Sequence, residues 1–67
     1  MTITKETYWS VQQTEDGRGW YEIFQINDPQ NEIDEDEAFT LATEGQSSIL
    51  QYPQFYRVQQ KTRRVLK

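Results

Sequence analysis

Apolar and polar positions alternate along Thr7–Gln13 and again along Trp20–Ile26, and aromatic and β-branched residues dominate both runs. A period of two with that composition predicts two β-strands. Between them lies Glu15-Asp16-Gly17-Arg18-Gly19. Asp-Gly is a preferred centre for a type I′ hairpin turn, because both central residues need φ > 0. With Asp16 and Gly17 at that centre, Glu15 faces Arg18, Gln13 faces Trp20, Val11 faces Glu22, Trp9 faces Phe24 and Thr7 faces Ile26. This register gathers Trp9, Val11, Trp20, Phe24 and Ile26 on one face. It leaves Tyr8, Ser10, Gln12, Tyr21, Ile23 and Gln25 on the other. Slipping the pairing by one position would mix the two sets. Glu22 alone is out of place, a carboxylate on the apolar face.

After Asn27-Asp28-Pro29 and a polar connection, the period changes. Ala38, Leu41 and Ala42 form an i, i+3, i+4 stripe beside Phe39, which predicts a short helix over roughly Asp34 to Glu44. Asp34 is placed to cap it, with Glu37 three residues on to complete a capping box and Ile33 and Ala38 at the flanking staple positions. Gly45 supplies a stop. Thr40 and Thr43 are weak helix formers, so the helix needs the sheet to hold it. Ser47-Ser48-Ile49-Leu50 reads as a second helical turn or a loop, ended by Tyr52-Pro53. Phe55–Gln60 reads as a third strand, and Lys61–Lys67 either continues it or trails as a basic tail. The expected fold is α+β: a three-stranded antiparallel sheet, in chain order strand-strand-helix-strand, with one short helix packed on one face. Trp9, Trp20, Phe24, Ile26, Phe39 and Leu41 are the expected core.

Length sharpens this picture. Sixty-seven residues make one small domain, 1–67, of marginal stability. With no Cys and no His, neither disulfides nor the common zinc ligand sets can reinforce it. Association into a homodimer is the remaining reinforcement. Hydrophobic residues are only 34% of the chain, but aromatics are 13%, and each buries about 150–250 Å². That argues for a packed core rather than disorder. The N-terminus, Met1 to Lys5 followed by Glu6, does not resemble a signal peptide, and no apolar run approaches the ~20 residues of a membrane span. A soluble, cytoplasmic protein is expected.

The same composition narrows the chemistry. Without Cys or His, a Ser or Thr nucleophile has no conventional base, and so small a chain has little room for a cleft that would tune paired carboxylates. No enzymatic activity and no cofactor are expected. Asp28, Asn31, Glu32, Asp34 and Asp36 lie close together, but Pro29 and the lack of a central Gly do not fit a calcium loop. They read as a capped helix start, and no metal site is expected. Gly17-Arg18-Gly19 sits at a hairpin tip, not in a strand-to-helix phosphate loop.

Charge is divided along the chain. Asp28 to Glu44 holds seven acidic residues and no basic one; Phe55 to Lys67 holds five basic residues and no acidic one. Attraction between the two segments would account for this plainly. The functional expectation is a protein that binds, and inhibits or modulates, a protein partner that itself handles nucleic acid. Carboxylates on such a protein are steered toward a groove built for phosphate. Glu32, Glu35 and Asp36 are the expected contacts, since Asp34 and Glu37 are committed to capping, together with Tyr8 and Tyr21 on the polar hairpin face. The alternative is direct nucleic-acid binding through Arg57, Lys61, Arg63 and Arg64, with Tyr52, Phe55 or Tyr56 stacking on bases. A net charge of −4 and a pI near 4.6 oppose it. A structural subunit of a larger assembly is the third class.

The run Glu15-Asp16-Gly17-Arg18-Gly19-Trp20-Tyr21-Glu22-Ile23, followed by an acidic helix containing Glu37-Ala38, resembles the hairpin and helix of small antitoxins of the HicB type over about half of the chain. The proline-rich segment of that family has no counterpart here beyond Pro29. In size, acidity and lack of catalytic residues the chain is also similar in kind to phage-encoded inhibitors such as anti-CRISPR proteins. Both resemblances imply an inhibitor acting by contact.

Overall fold

The computed structural model describes residues 2–66 and has the α+β architecture expected. Strands β1 (Ile3–Thr14), β2 (Trp20–Asp28) and β3 (Tyr56–Leu66) form an antiparallel sheet in the order β2-β1-β3. Helix α1 (Glu35–Gly45), the short α2 (Ser48–Gln51) and a 3-10 turn at Pro53–Phe55 connect β2 to β3 across one face. Among the described residues no helix is long and apolar enough to cross a membrane.

β1 is longer than its alternating core suggests. Its first residues pair with the end of β3, from Ile3↔Leu66 to Glu6↔Arg63, while β2 reaches only as far as Thr7↔Asp28. Lys61–Leu66 therefore belongs to a strand rather than a tail; Lys67 lies outside the described residues.

The hairpin departs from the expected register twice. First, the type I′ turn does not form: Gly17 has φ 79° but Asp16 does not adopt positive φ. The Asp16 side chain instead folds the tip. Its Oδ1 accepts from the N–H groups of Arg18 (2.8 Å) and Gly19 (3.2 Å), and the Gly17 N–H donates to Thr14 Oγ1 at 2.9 Å. Asx bonding of this kind stabilises a wider loop than a two-residue turn. Glu15–Gly19 lies wholly outside the ladder, which begins at Thr14↔Trp20.

Second, pairing jumps from Gln12↔Glu22 to Val11↔Phe24, so Ile23 is the extra residue of a β-bulge. Ile23 and Phe24 both pack against the core. Below the bulge the faces of β2 are exchanged relative to expectation: Trp20 and Glu22 join Gln12 and Thr14 on the uncovered face, and Tyr21 joins Gln13 on the helix side. The misplaced Glu22 is thus relocated, and Trp20 leaves the core.

The helix starts where its cap places it. Asp34, in extended backbone, accepts from the Glu37 N–H at 2.8 Å, and Ala38 and Ala42 are fully buried. Gly45 is its last helical residue and has no positive φ. Its small size matters because a Cβ there would stand 3.3 Å from Phe24 Cζ. The core comprises Trp9, Val11, Ala38, Ala42, Ile49, Tyr56 and Val58, with Ile23, Phe24, Ile26, Ile33 and Phe39 packed around it. Leu41 is half-buried outside that cluster. Ile49, on α2, replaces it as a fully buried aliphatic side chain.

Candidate functional site

Strand alternation in β1 sends Trp9, Val11 and Gln13 toward the helices and Tyr8, Ser10, Gln12 and Thr14 to the opposite, uncovered face. By register, β2 adds Trp20, Glu22, Gln25 and Asn27 to that open face, and β3 adds Arg57, Gln59, Lys61 and Arg63. No element of the described chain covers it. Even so, Ser10, Gln12 and Thr14 are 0%, 5% and 2% exposed. Long side chains of the two outer strands lie across the central one and shut water out.

Two arginines take part in this covering. The Arg57 guanidinium lies 4.4 Å from the Trp20 ring centroid and its Nε donates to Gln12 Oε1 at 2.7 Å. Arg63 lies 4.3 Å from the Tyr8 ring centroid and donates to Asn27 Oδ1 at 2.9 Å. Each cation spans the sheet from β3 and rests on an aromatic face, an arrangement that fixes an otherwise mobile side chain. Between them the Gln12 amide donates to Ser10 Oγ (3.1 Å) and Gln59 Oε1 (3.2 Å). Glu22 is held below the usual carboxylate range by the Ser10 hydroxyl and the Gln25 amide, and further by the charges of Lys61 and Arg63. The result is a flat, ordered face of paired aromatic and guanidinium groups around an amide network.

The expected contact residues are divided by the fold. Tyr8 shares the open face with Arg57, Lys61 and Arg63. Tyr21 does not; the bulge turns it to the helix side, where it is 47% exposed. Arg64 pairs with Lys5 and also takes the helix side. Glu32 and Glu35 border a depression near the start of α1 with Trp9, Asn31 and Gln60, and Asp36 follows in the first helical turn; all three carboxylates are exposed. Among the described residues no ion pair joins the acidic segment to the basic strand. Trp20, assigned to the core by the hairpin register, is the open-face residue that sequence reasoning missed. The carboxylate of Glu22 on a supposedly apolar face was its one visible signal.

Asp28 is committed elsewhere. Its buried carboxylate closes the turn after β2, where Asn31 takes φ 56°, by accepting from the N–H groups of Glu32 (2.8 Å) and Ile33 (3.0 Å). Burial opposes its ionisation, but those two donors and the neighbouring Trp9 indole outweigh it, and its pKa is lowered. Trp9 Nε1 is buried without a hydrogen bond of ordinary geometry, which makes it the weakest of these influences.

At the hairpin end a separate groove of about 310 Å³ is lined by Gln13, Thr14, Glu15, Tyr52, Phe55 and Tyr56. Tyr56 is buried and bonded to Ser48 Oγ at 2.9 Å, so of the three candidate stacking rings only Tyr52 and Phe55 are exposed, on the helix side of the molecule and away from the arginine face. Among the described residues no group of three His, Cys, Asp or Glu side chains is placed to hold a metal ion. Comparison with family models, curated proteins and solved structures gives no match to this chain.

Proposed function

We propose that the protein is a non-catalytic module that binds a protein partner on the open face of its sheet. One observation carries the reading: Trp20, Tyr8, Arg57 and Arg63, the residue types that dominate interface energetics, are ordered together on an uncovered surface. The exposed carboxylates Glu32, Glu35 and Asp36 stand by the helix layer, where they serve long-range steering toward a basic partner better than close contact. Modulation of that partner, as in an inhibitor or antitoxin, follows from occupancy of its surface.

Direct nucleic-acid binding is the second reading, favoured by Arg57, Lys61 and Arg63 sharing a face with two aromatic rings. Magnitudes count against it. Three cations share that face with the carboxylates of Glu6 and Glu22, a net of +1 (3 − 2). Three phosphate contacts give a salt slope of only about −2 on single strands, the regime of weak binding. A protein partner can use both signs of charge.

The experiment is capture of the partner from the native host by wild-type protein, repeated with Tyr8→Ala, Trp20→Ala and the Glu35→Lys, Asp36→Lys pair. Loss with the aromatic variants and a slower on-rate with the acidic pair are expected. Retention with both aromatic variants refutes the face. A labelled single-stranded oligonucleotide bound at low salt and lost with Arg63→Glu moves the function to nucleic acid. Self-association is a competing occupant, and sedimentation equilibrium at micromolar concentration separates it. A mass near 8.0 kDa leaves the face to a foreign partner.

A further inference from the structure

The two edges of the sheet are not equivalent. β2 and β3 are both outer strands, each with one row of backbone N–H and C=O groups turned away from β1. Natural proteins protect such rows with bulges, prolines, short strands, charged side chains or a covering element, because an exposed edge is a template for another strand. β2 has 9 residues and the Ile23 bulge, which breaks its ladder and twists its edge. β3 has 11 residues, contains no proline, and pairs without a register shift from Gln13↔Tyr56 to Ile3↔Leu66. Its central stretch Gln59–Arg64 is exposed throughout.

The charge on that strand states what can and cannot be added to it. β3 carries Arg57, Lys61, Arg63 and Arg64 and no acidic residue. Arg57 and Arg63 lean inward over Trp20 and Tyr8, so their side chains leave the backbone edge open. Their charge still acts there, since screening at physiological salt extends over about 8 Å. A second copy pairing antiparallel through β3 would set these cations against their equivalents, and like charges directly opposite destabilise a ladder. An incoming strand with carboxylates at alternate positions would meet the opposite sign instead.

We infer that the open edge of β3 accepts an extended, acidic segment of the partner as a fourth antiparallel strand, Gln59–Arg64 supplying the main-chain hydrogen bonds and Lys61 on the open face or Arg64 on the helix face, whichever face the carboxylates share, supplying the charge. The inference rests on the protein-binding reading and adds one acidic, extended segment to the otherwise basic partner of that reading. It uses β-strand addition, in which the backbone provides affinity and alternating side chains provide selection.

The probe is a synthetic peptide of about eight residues alternating glutamate with valine, the length of an ordinary strand. Two controls accompany it, one with lysine in place of glutamate and one N-methylated at alternate amides so that it cannot complete a ladder. The acidic peptide should bind and slow hydrogen exchange at alternate amides of Gln59–Arg64. Both controls, and the variant Lys61→Glu with Arg64→Glu, should weaken binding by about tenfold or more, with melting of the free protein little changed. Equal binding of the N-methylated peptide reduces the effect to loose charge attraction and overturns the proposal. So does exchange protection confined to β2, tighter binding of a single-stranded oligonucleotide at the same salt, or no binding of the acidic peptide. Failure here leaves the open-face reading to be judged separately, because Tyr8→Ala and Trp20→Ala test partner capture without touching the β3 edge.

Discussion

The two faces of the sheet share one central strand, and β1 is buried on both. Toward the helices it buries Trp9 and Val11 under Ala38, Ala42 and Ile49. On the other side it buries Ser10, Gln12 and Thr14 to the same degree with no second layer at all. The first face excludes water by packing carbon against carbon, which is roughly proportional to area and indifferent to direction. The second excludes it with arginine and glutamine side chains laid across the strand, held by hydrogen bonds and, for the arginines, a ring face, so its order is directional. A packed layer tolerates nothing in the space it occupies, whereas a covering of long polar side chains can be displaced by a partner that replaces its bonds. The difference makes one face the support and the other the candidate binding surface.

The contrast can be broken most strongly from the apolar side. Ile49→Ala opens a cavity under α2, and a loss of about 2–5 kcal/mol is expected in urea unfolding, a large part of the stability of a small domain. A loss within the range of surface substitutions, about 0.5 kcal/mol, would mean that α2 does not close the core.

Gln12→Ala attacks the polar face. It strands Arg57 Nε under cover and takes away the amide donor to Ser10 Oγ, and about 1–3 kcal/mol should be lost. Stability equal to wild type would show that water reaches these groups freely and that the open face is an ordinary solvated surface.

Acid titration tests the turn that joins the sheet to the helix layer. Asp28 has a folded pKa below the ordinary aspartate value of 3.8, so the unfolded chain binds the proton more readily than the native one. Its stabilisation is therefore complete above that value and is lost as pH falls through the lower, folded pKa. Asp16, held down first by the Arg18 N–H and then by that of Gly19, and Glu22, held down first by Ser10, act in the same direction. Unfolding free energy should decline below about pH 4, and Asp28→Asn should flatten that decline. An unchanged slope in the variant would remove Asp28 from the account.

The smallest effect on stability is expected at Arg63→Gln, which removes the stack over Tyr8 and the bond to Asn27 on an exposed surface. A change under about 1 kcal/mol should accompany a clear fall in partner affinity. A large loss of stability with no change in binding would reverse the roles assigned to the two faces.

Legibility from the sequence follows the range of the interaction. The strands, the Asp34 cap and the Ala38 and Ala42 positions of the helix stripe each depend on residues within a few positions of one another, and all are present in the fold. The burial of Ile49 was not legible, because four residues of helix have no periodicity to read. Alignment of the hairpin from a two-residue turn puts Tyr21 and Trp20 on the opposite faces from those they occupy.

What the chain determined by itself was local: where it alternates, where it turns, where a helix can start, and that its acid and base lie in separate segments. The tertiary structure decided which side each segment presents. Asp16 uses its own carboxylate to widen the tip, which frees the register from the two-residue turn. Ile23 and Phe24 then both reach the core beneath the helix layer only if one residue of β2 is left out of the ladder. That bulge carries Glu22 to the open face to meet Ser10 of β1, and Trp20 to meet Arg57, which the pairing of β1 with β3 sets on the same face. A side-chain period of two makes every face assignment depend on a single inserted residue, and only packing between distant segments can choose where that residue goes.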